Sequence, residues 1–293
     1  MKKTIAIVVT YNRKQLLKEC IEALLNNDNL DVLIVDNAST DGTFDYIKHY
    51  LNERVIYLNT GENLGGAGGF NFGIKQIISK DYDYCWLMDD DTIVQENSYN
   101  SMLEKAAEIN DEFSFLSSVT LWTDSSLCVM NIQGVSETAI KNYNSLKHNL
   151  MQIDYASFVS CFINVKYIKK VGLPIKEFFI YGDDMEYTMR LSQEAPGYLN
   201  PNSIVVHKMA TNVGINIVDI EENRIDRFIY NYRNLSYIYK KYNVKEYKKF
   251  KLKYYYMIFK ILLKSPNNKL KRIKALKKGM KQGKRFNPKI EME

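Results

Sequence analysis

The feature that most constrains the fold is an apolar run that ends abruptly in three consecutive carboxylates. Residues 85–88 (CWLM) are followed directly by Asp89, Asp90 and Asp91. A short apolar run bounded by polar residues is typical of a buried strand. Ligands of open α/β sheets bind beyond the carboxyl ends of such strands. If the backbone stays extended, Asp89 and Asp91 point to one side of the strand and Asp90 to the other.

Three adjacent carboxylates raise one another's pKa unless a cation joins them. The nearest basic residues along the chain are Lys80 and Lys105, so no sequence neighbour neutralises the cluster. Carboxylate oxygens suit Mg²⁺ or Mn²⁺, ions that keep coordination positions open for substrate phosphates. Taken alone, the DDD motif predicts either a metal site or a solvated acidic turn.

The segments before this cluster alternate between strand and helix patterns. Residues 4–10 (TIAIVVT) are almost wholly apolar, as in a parallel strand covered on both faces. Residues 14–25 carry helical spacing of apolar side chains. The pattern continues with a strand at 31–35, a helix at 43–51 and a strand at 55–58. This βαβαβ order predicts a parallel, nucleotide-binding sheet with right-handed crossovers.

Two features near this sheet are candidate nucleotide contacts. Asp36 follows the second strand, where its carboxylate could accept a hydrogen bond from a ribose or a base; a turn or helix cap is an equal alternative. The Gly-rich segment 63–73 (NLGGAGGFNFG) predicts a loop that leads into a helix at 74–78 and lets the backbone approach a ligand. It matches neither the P-loop nor the dinucleotide fingerprint.

A second acidic cluster lies at residues 182–186 (GDDME). Asp183 or Asp184 is placed to cap a helix that carries Glu186. One of these carboxylates could instead serve as a general base for an incoming hydroxyl. His207 follows the apolar run 203–206. A lone His is more often structural, but at a strand end it could complete a carboxylate-rich metal site.

Between the two acidic clusters the pattern predicts a helix at 100–109, a strand at 115–122, a strand pair or bend at 155–165 and a helix at 166–172, with 123–150 irregular.

The C-terminal region, residues 226–293, is predicted to be helical, basic and Tyr-rich. Residues 240–289 contain 19 Lys and Arg residues and one acid, Glu246, so the preceding part of this +6 chain is net acidic. The apolar run 254–263 is too short to span a bilayer, which takes about 20 residues. This pattern favours an interfacial helix on an anionic membrane; nucleic-acid binding and a solvated helix pair are the alternatives.

The expected compartment is the cytoplasm. The four cysteines lie far apart without zinc-type spacing, as expected of reduced thiols. The apolar core of the N-terminus, residues 5–9, is too short for a signal peptide. We therefore predict a cytoplasmic protein that associates peripherally with the inner face of the cell membrane.

Several motifs in a fixed order resemble those of one enzyme family. They are VVTYNR, IVDNASTDGT, NLGGAGGFNFGI, WLMDDDT, YGDDMEYTMR and a later VVH, and they cover about residues 4–210. In order and spacing the chain resembles the inverting family 2 glycosyltransferases. Within them it most resembles the bacterial galactofuranosyltransferases, because of GGAGGF and of a triple Asp where many relatives carry DxD.

The resemblance implies an α/β protein with a GT-A type nucleotide-binding sheet and flanking helices (residues 1–225), followed by the basic helical extension (226–293). It also implies a nucleotide-sugar donor and a divalent cation, Mn²⁺ or Mg²⁺. Carried over by position, the nucleotide-sugar contacts are Thr10, Arg13, Asp36, Asn63, Gly66, Asp89 and Asp90. The metal ligands are Asp89, Asp91 and His207. The general base is Asp184, and the acceptor contacts are Asp183, Glu186, Tyr155 and Phe158.

The predicted reaction is inverting transfer of galactofuranose from UDP-galactofuranose to a lipid-linked glycan acceptor of a capsule or O-antigen. Relatives that polymerise long chains carry a β-rich domain before the catalytic one. Because this sequence starts at the first strand, we expect transfer of one or a few sugars. The alternatives are a rhamnosyltransferase using a dTDP-sugar, and a non-catalytic protein that binds nucleotides or nucleic acid. The intact set of Asp89, Asp91, Asp184 and His207 disfavours the non-catalytic alternative, and no nucleic-acid partner is expected. The oligomeric state stays open.

Overall fold

The β-branched run near the N-terminus forms an inner strand of a mixed sheet in the computed structural model, which describes residues 2–292. Helices cover both faces of this sheet. The strands are β1 (Thr4–Thr10), β2 (Leu30–Asp36), β3 (Val55–Asn59), β4 (Tyr84–Asp89), β5 (Thr92–Val94), β6 (Phe115–Leu121), β7 (Gly134–Val135), β8 (Met151–Tyr155), β9 (Cys161–Asn164) and β10 (Gly197–His207). The helices are α1 (Lys14–Leu25), α2 (Thr43–Ile47), α3 (Gly65–Ile77), α4 (Ser98–Glu108), α5 (Tyr143–Lys147), α6 (Val165–Val171), α7 (Asp183–Ser192), α8 (Arg227–Tyr242), α9 (Val244–Lys264) and α10 (Lys269–Gly283).

The first half of the sheet is parallel, as predicted. Its strands lie in the order β3-β2-β1-β4, and each neighbouring pair is parallel. Thr10 pairs with Asp36, and Val9 pairs with Asp89, so these strands end at one edge of the sheet. The sequence pattern therefore located the edge where a ligand of an α/β sheet is expected.

The second half of the sheet departs from the parallel prediction. β9 runs antiparallel to both β4 and β6, and β10 is parallel to β6 but antiparallel to β5 and β8. The apolar segment 155–165 contributes to this change of direction, because β8 ends at Tyr155 and β9 begins at Cys161 after a short turn. The sheet is mixed, and the βαβ pattern described only its N-terminal part.

The Gly-rich segment is helical from Gly65 onward, which corrects the prediction of a loop before residue 74. Helix α3 begins at Gly65 and includes residues 65–73 of the segment. A side-chain carbon at Gly69 would lie 2.6 Å from Cγ1 of Val9, and one at Gly73 would lie 2.7 Å from Cγ2 of Ile7. The glycines therefore serve close packing of α3 onto β1, at a cost in helix propensity of about 1 kcal/mol each relative to Ala.

Side chains of the central strands alternate between two apolar cores. Ala6 and Val8 face the core covered by α1 and α4, whereas Ile5 and Ile7 face the core covered by α3, α6 and α7. This alternation follows from the pleat of a strand. A strand buried on both faces explains why the sequence of β1 is apolar throughout.

The C-terminal region folds as three helices, the first of which packs on the part of the chain that contains the sheet. α8, α9 and α10 share an apolar cluster that includes Phe228, Phe250 and Leu276. The other side of α8 packs through Ile238 against Ala67 of α3, in a second cluster. Among residues 2–292, every helix falls short of the length and apolar character needed to span a membrane.

The close approach of α3 predicts that Gly73→Ala destabilises the protein. The added methyl group would lie 2.7 Å from Cγ2 of Ile7 and 3.0 Å from Cγ2 of Val35, both on buried, branched side chains. Overpacking of this kind costs about 1–3 kcal/mol, more than the gain of up to about 1 kcal/mol in helix propensity. Urea unfolding measures the change in the free energy of unfolding.

The matched control is Gly214→Ala, because no described atom lies within 4 Å of the carbon that this change would add. We expect its free energy of unfolding to stay near that of the parent. Equal stability of Gly73→Ala and the parent would contradict the close packing of α3.

Candidate functional site

The two acidic clusters and His207 come together at the carboxyl edge of the parallel strands. β4 ends at Asp89, a turn carries Asp90 and Asp91, and the chain returns as β5. β5 pairs antiparallel with β10, and this pairing sets His207 opposite Thr92. The β4–β5 turn therefore places the last residue of β10 beside the aspartates.

Asp89, Asp91 and His207 form a candidate metal site. One ligand atom from each residue lies within 4.8 Å of the others. Nε2 of His207 lies 3.0 Å from Oδ1 of Asp91, and that buried oxygen makes no hydrogen bond of good geometry within residues 2–292. Two carboxylates and one imidazole are a donor set that suits Mn²⁺ or Mg²⁺. These residues therefore fit a divalent cation.

Asn131 fixes the orientation of the His207 ring. Its side-chain oxygen lies 2.8 Å from Nδ1 of His207. If Nδ1 donates this hydrogen bond, Nε2 is the nitrogen that faces Asp91, and its lone pair is available to a cation. A second group that fixes the tautomer of a metal-binding His is a common feature of metal sites. Asn131 lies in the segment that the sequence left irregular, and nothing in its surroundings signalled this contact.

Arg13 and Thr10 bind the aspartates from the other side. Nη1 of Arg13 lies 2.5 Å from Oδ2 of Asp91 and 3.4 Å from Oδ1 of Asp90. The Thr10 hydroxyl donates to Oδ2 of Asp90 at 2.7 Å. No basic residue lies near the DDD motif along the chain, and the group that neutralises its charge, Arg13, comes from a distant part of the sequence.

The three carboxylates titrate differently. Burial, together with the charge of Asp91, raises the pKa of Asp89 to about 6. Burial also raises the pKa of Asp90 to about 7, against the opposing effect of Arg13. The pKa of Asp91 is lowered, because His207 and Arg13 outweigh the effect of its burial. In turn, the pKa of His207 is raised, because Asp91 outweighs burial. The site therefore carries negative charge that a bound cation would stabilise.

The predicted nucleotide contacts lie beside the aspartates along the same edge. The carboxylate of Asp36 is buried, accepts a hydrogen bond from the hydroxyl of Tyr57 at 2.6 Å and accepts another from the backbone N–H of Ser39 at 2.8 Å. Asn63 is exposed, and its side-chain oxygen accepts a hydrogen bond from the N–H of Gly65 at 2.9 Å at the start of α3. Their contacts with a nucleotide stay predictions. Tyr57 was missed because its strand pattern is that of an ordinary core residue.

Asp183 and Asp184 are the first two residues of α7, and they lie near the cluster of Asp89, Asp91 and His207. A side-chain carbon at Gly66 would lie 4.0 Å from Oδ2 of Asp183, which brings the start of α3 to the start of α7. Burial, with the charge of Asp184 adding to it, raises the pKa of Asp183 well above its usual range. Burial also raises the pKa of Asp184 to about 6, and the charge of Asp89 contributes. The two clusters thus lie within electrostatic reach of each other. Gly182, at φ +79°, precedes α7, so neither aspartate occupies the cap position.

Glu186 and Phe158 are placed differently from the other predicted acceptor contacts. Glu186 is fully buried; its carboxylate accepts a hydrogen bond from Tyr242 at 2.7 Å and pairs with Arg190 at 3.0 Å. The ring of Phe158 is buried against Phe70. Direct contact of either side chain with an acceptor would require these partners to separate, which makes a positioning role the better interpretation. Tyr155 is partly exposed at the end of β8 and stays a predicted acceptor contact.

Comparison with known sequences supports the resemblance. The profile of glycosyl transferase family 2 matches residues 5–162. The chain is 23% identical over 197 residues to a galactofuranosyltransferase of Mycolicibacterium smegmatis, a match that covers 64% of each protein. It is 35% identical over 98 residues to an abequosyltransferase of Salmonella typhimurium, covering 31% of this chain and 28% of that protein. The matched part is less than two thirds of either relative's own length.

Comparison with solved structures supports the fold. The structure of GalNAc-T7 with UDP, GalNAc and Mn²⁺ matches with a TM-score of 0.62 and 12% identity, over 94% of this chain and 55% of that one. The mannosyltransferase PcManGT of Pyrobaculum calidifontis, in complex with GDP-Man and Mn²⁺, matches with a TM-score of 0.57 and 14% identity, over 89% and 72%. The α/β sheet with its flanking helices is a GT-A fold. Because the family profile covers more than half of the sequence, the chain belongs to glycosyl transferase family 2.

Proposed function

We propose that this protein is an inverting, metal-dependent galactofuranosyltransferase. It transfers galactofuranose from UDP-galactofuranose to a lipid-linked glycan acceptor of a capsule or O-antigen, at the inner face of the cell membrane. The observation that carries the proposal is that the cluster of Asp89, Asp91 and His207 lies close enough to Asp184 for the charge of Asp89 to raise the pKa of Asp184. The similarity to a galactofuranosyltransferase supports the choice of sugar.

Asp184 acts as the general base in this proposal. It takes the proton from the acceptor hydroxyl while that oxygen attacks the anomeric carbon of the donor. The bond between this carbon and the nucleoside diphosphate breaks on the opposite face, which inverts the configuration. Asp184 is partly exposed, whereas Asp183 is more deeply buried, and its burial raises the pKa of its carboxyl. A neutral Asp183 can donate a hydrogen bond and orient the acceptor.

Arg13 supplies positive charge where the diphosphate departs. Its guanidinium already contacts Asp91, so its position is fixed before the donor binds. Preorganised charge of this kind stabilises developing negative charge without reorganisation during the reaction. When bound by Asp89, Asp91 and His207, a divalent cation supplies Lewis-acid stabilisation of the same leaving group. Thr10, Asp36, Asn63, Gly66 and Asp90 complete the proposed donor site.

Helix α9 provides the proposed membrane contact. Its outward face exposes six large apolar side chains with exposed fractions from 48% to 71%: Leu252, Tyr255, Tyr256, Phe259, Leu262 and Leu263. Its inward face packs on α8 through Phe250 and Ile261. Residues 244–264 contain seven lysines and one acid, so two copies of this helix would repel each other, whereas an anionic bilayer would attract it. An in-plane interfacial helix therefore fits this face better than a protein dimer.

Substitution of the proposed base by Asp184→Asn should lower kcat by about 10²- to 10⁴-fold, because the side chain can no longer accept the proton. The affinity for UDP should stay near that of the parent. Steady-state kinetics with UDP-galactofuranose and calorimetry with UDP measure the two effects. The matched control is Asp28→Asn, the same chemical change at an exposed position, which should keep the parent kcat.

The pH dependence adds a second readout for the same base. Because burial raises the pKa of Asp184 to about 6, the parent kcat should fall as the pH drops through that value and should be retained above it. A cation bound near Asp89 lowers this pKa, so the midpoint at saturating Mn²⁺ should lie at or below about 6. If the Asp184→Asn variant kept substantial transferase activity, Asp184 would be excluded as the base.

The donor and metal assignments are tested by calorimetry with UDP and with dTDP, each with and without Mn²⁺. We expect UDP to bind more tightly and to require the metal. A preference for dTDP would favour the rhamnosyltransferase alternative, and failure to bind either nucleotide would contradict the transferase proposal.

We expect Mn²⁺ to strengthen UDP binding and to raise the unfolding temperature of the parent, and we expect Asp91→Ala to abolish both effects. Asp28→Ala, at an exposed position before β2 and therefore at the opposite edge of the sheet, is the control. Unchanged Mn²⁺ binding by Asp91→Ala would exclude this residue as a ligand.

The membrane proposal predicts that Phe259→Glu weakens binding to anionic vesicles at least about tenfold, because it removes an inserting ring and adds a repelled charge. Ile140→Glu makes a comparable change at another exposed apolar position and should bind like the parent. Sedimentation with phosphatidylglycerol vesicles at two salt concentrations measures the affinity. Equal binding by the Phe259→Glu variant and the parent would show that α9 is not the contact, and a change in oligomeric state would indicate a protein partner instead.

A further inference from the structure

The loop before α7, residues 178–182, has an unusual backbone conformation and leads directly into Asp183 and Asp184. At Phe179 the backbone has φ +62° and ψ −57°, and the N–H of Ile180 donates to the carbonyl of Phe178 at 2.7 Å. This is a γ-turn of the rare, strained hand. Tyr181 (φ +69°) and Gly182 (φ +79°) follow it directly. Three of the four residues before Asp183 thus have positive φ, which an L side chain adopts only when its surroundings hold it there.

Asn234 of α8 holds this loop from one side. The residue is fully buried, and the two N–H hydrogens of its Nδ2 are shared among three carbonyl oxygens of the loop: Phe178 at 3.0 Å, Ile180 at 3.1 Å and Tyr181 at 2.8 Å. Its side-chain oxygen accepts from Nε of Arg233 at 2.9 Å, which fixes the orientation of the amide. All polar atoms of the side chain are therefore used to hold the turn.

The start of α3 holds the loop from the other side. The N–H of Ala67 donates to the carbonyl of Phe179 at 3.2 Å, and a side-chain carbon at Gly65 would lie 2.1 Å from that oxygen. The ring of Phe179 also stacks on Tyr230, one helical turn before Asn234, with 5.1 Å between the ring centres. The γ-turn is clamped between the Gly-rich helix and α8.

We propose that Asn234 is a positioning residue for the proposed reaction: by holding the γ-turn at Phe179 it sets the start of α7 and thereby the place of the Asp184 carboxylate. Only Gly182 and Asp183 separate Asp184 from Tyr181, the last residue of the loop whose carbonyl Asn234 binds. Displacement of a catalytic group by about 1 Å can cost on the order of 100-fold in rate. This inference rests on the proposed role of Asp184 as the base, and it makes the C-terminal region part of the catalytic apparatus.

The first test is Asn234→Ala in the full chain. We expect kcat to fall by on the order of 100-fold, while the KM for the donor and the affinity for UDP stay within about twofold, because most of the proposed donor contacts lie at the ends of β1, β2 and β4, which Asn234 does not touch. Hydrogen exchange should become faster in peptides that cover residues 178–184 and stay unchanged in β1. The control is Ser236→Ala, an equally buried position on the same helix whose side chain lies against Gly283 of α10; it should keep the parent kcat.

A second variant separates positioning from general support of the fold. Gly adopts positive φ without strain. The double variant Asn234→Ala with Phe179→Gly should therefore have a kcat at least about tenfold higher than that of Asn234→Ala alone. A purely structural role of Asn234 predicts that the second substitution lowers the unfolding temperature further and restores no activity. If Asn234→Ala does not fold, Asn234→Ser replaces it in both measurements, because its hydroxyl keeps one donor.

The outcomes are distinguishable. Parent-like kcat of Asn234→Ala, loss of UDP affinity in parallel with kcat, failure of the double variant to regain activity, or failure of both Asn234 variants to fold would each overturn the inference. If Asp184→Asn is inactive and Asn234→Ala is not impaired, this inference fails and the proposed base stands. If Asp184→Asn keeps its turnover, the base assignment itself fails.

Discussion

The burial of several carboxylates at one edge of the sheet is the constraint on which the rest of the site depends. Asp90 and Asp91 are almost fully buried, and their charge is balanced by Arg13 from the start of α1 and His207 from the end of β10. Asp91 and His207 are both buried, and removing one partner of such a pair typically costs about 3–5 kcal/mol; the half-exposed Arg13 contributes less. The segments that carry these partners must therefore close on the end of β4, and the cation that the site fits would take part in the same balance.

The close packing of α3 on β1 connects the donor side of the site with the base. Glycines at positions 69 and 73 let the helix lie directly on the strand. As a result the first turn of α3 reaches the loop before α7, where Ala67 binds the carbonyl of Phe179 and Gly66 lies near Asp183. Helix α3 thus contacts both the sheet edge that carries Asp36 and Asp89 and the loop that precedes Asp183 and Asp184. Larger side chains at its glycines would move the helix away from the strand and the loop.

The C-terminal helices support the proposed site on one side and carry an exposed apolar surface on the other. α8 holds the loop before α7 through Asn234 and binds the buried Glu186 through Tyr242. Its opposite side carries α9, whose exposed apolar face is the proposed membrane contact. The boundary proposed at residue 225 therefore marks a change in composition and charge, and packing continues across it.

The sequence by itself determined the parallel half of the sheet, the edge at which ligands are expected, the two acidic clusters and the family, because these depend on apolar periodicity and on short motifs. It determined α1 to the residue, since its apolar spacing is regular. It did not determine the mixed half of the sheet, the helical state of the Gly-rich segment or the partners of the aspartates. Those depend on contacts between residues far apart along the chain. Asn131 beside His207 and Asn234 under the γ-turn are polar residues in unremarkable surroundings, and only the tertiary structure brings each to the group that it orients.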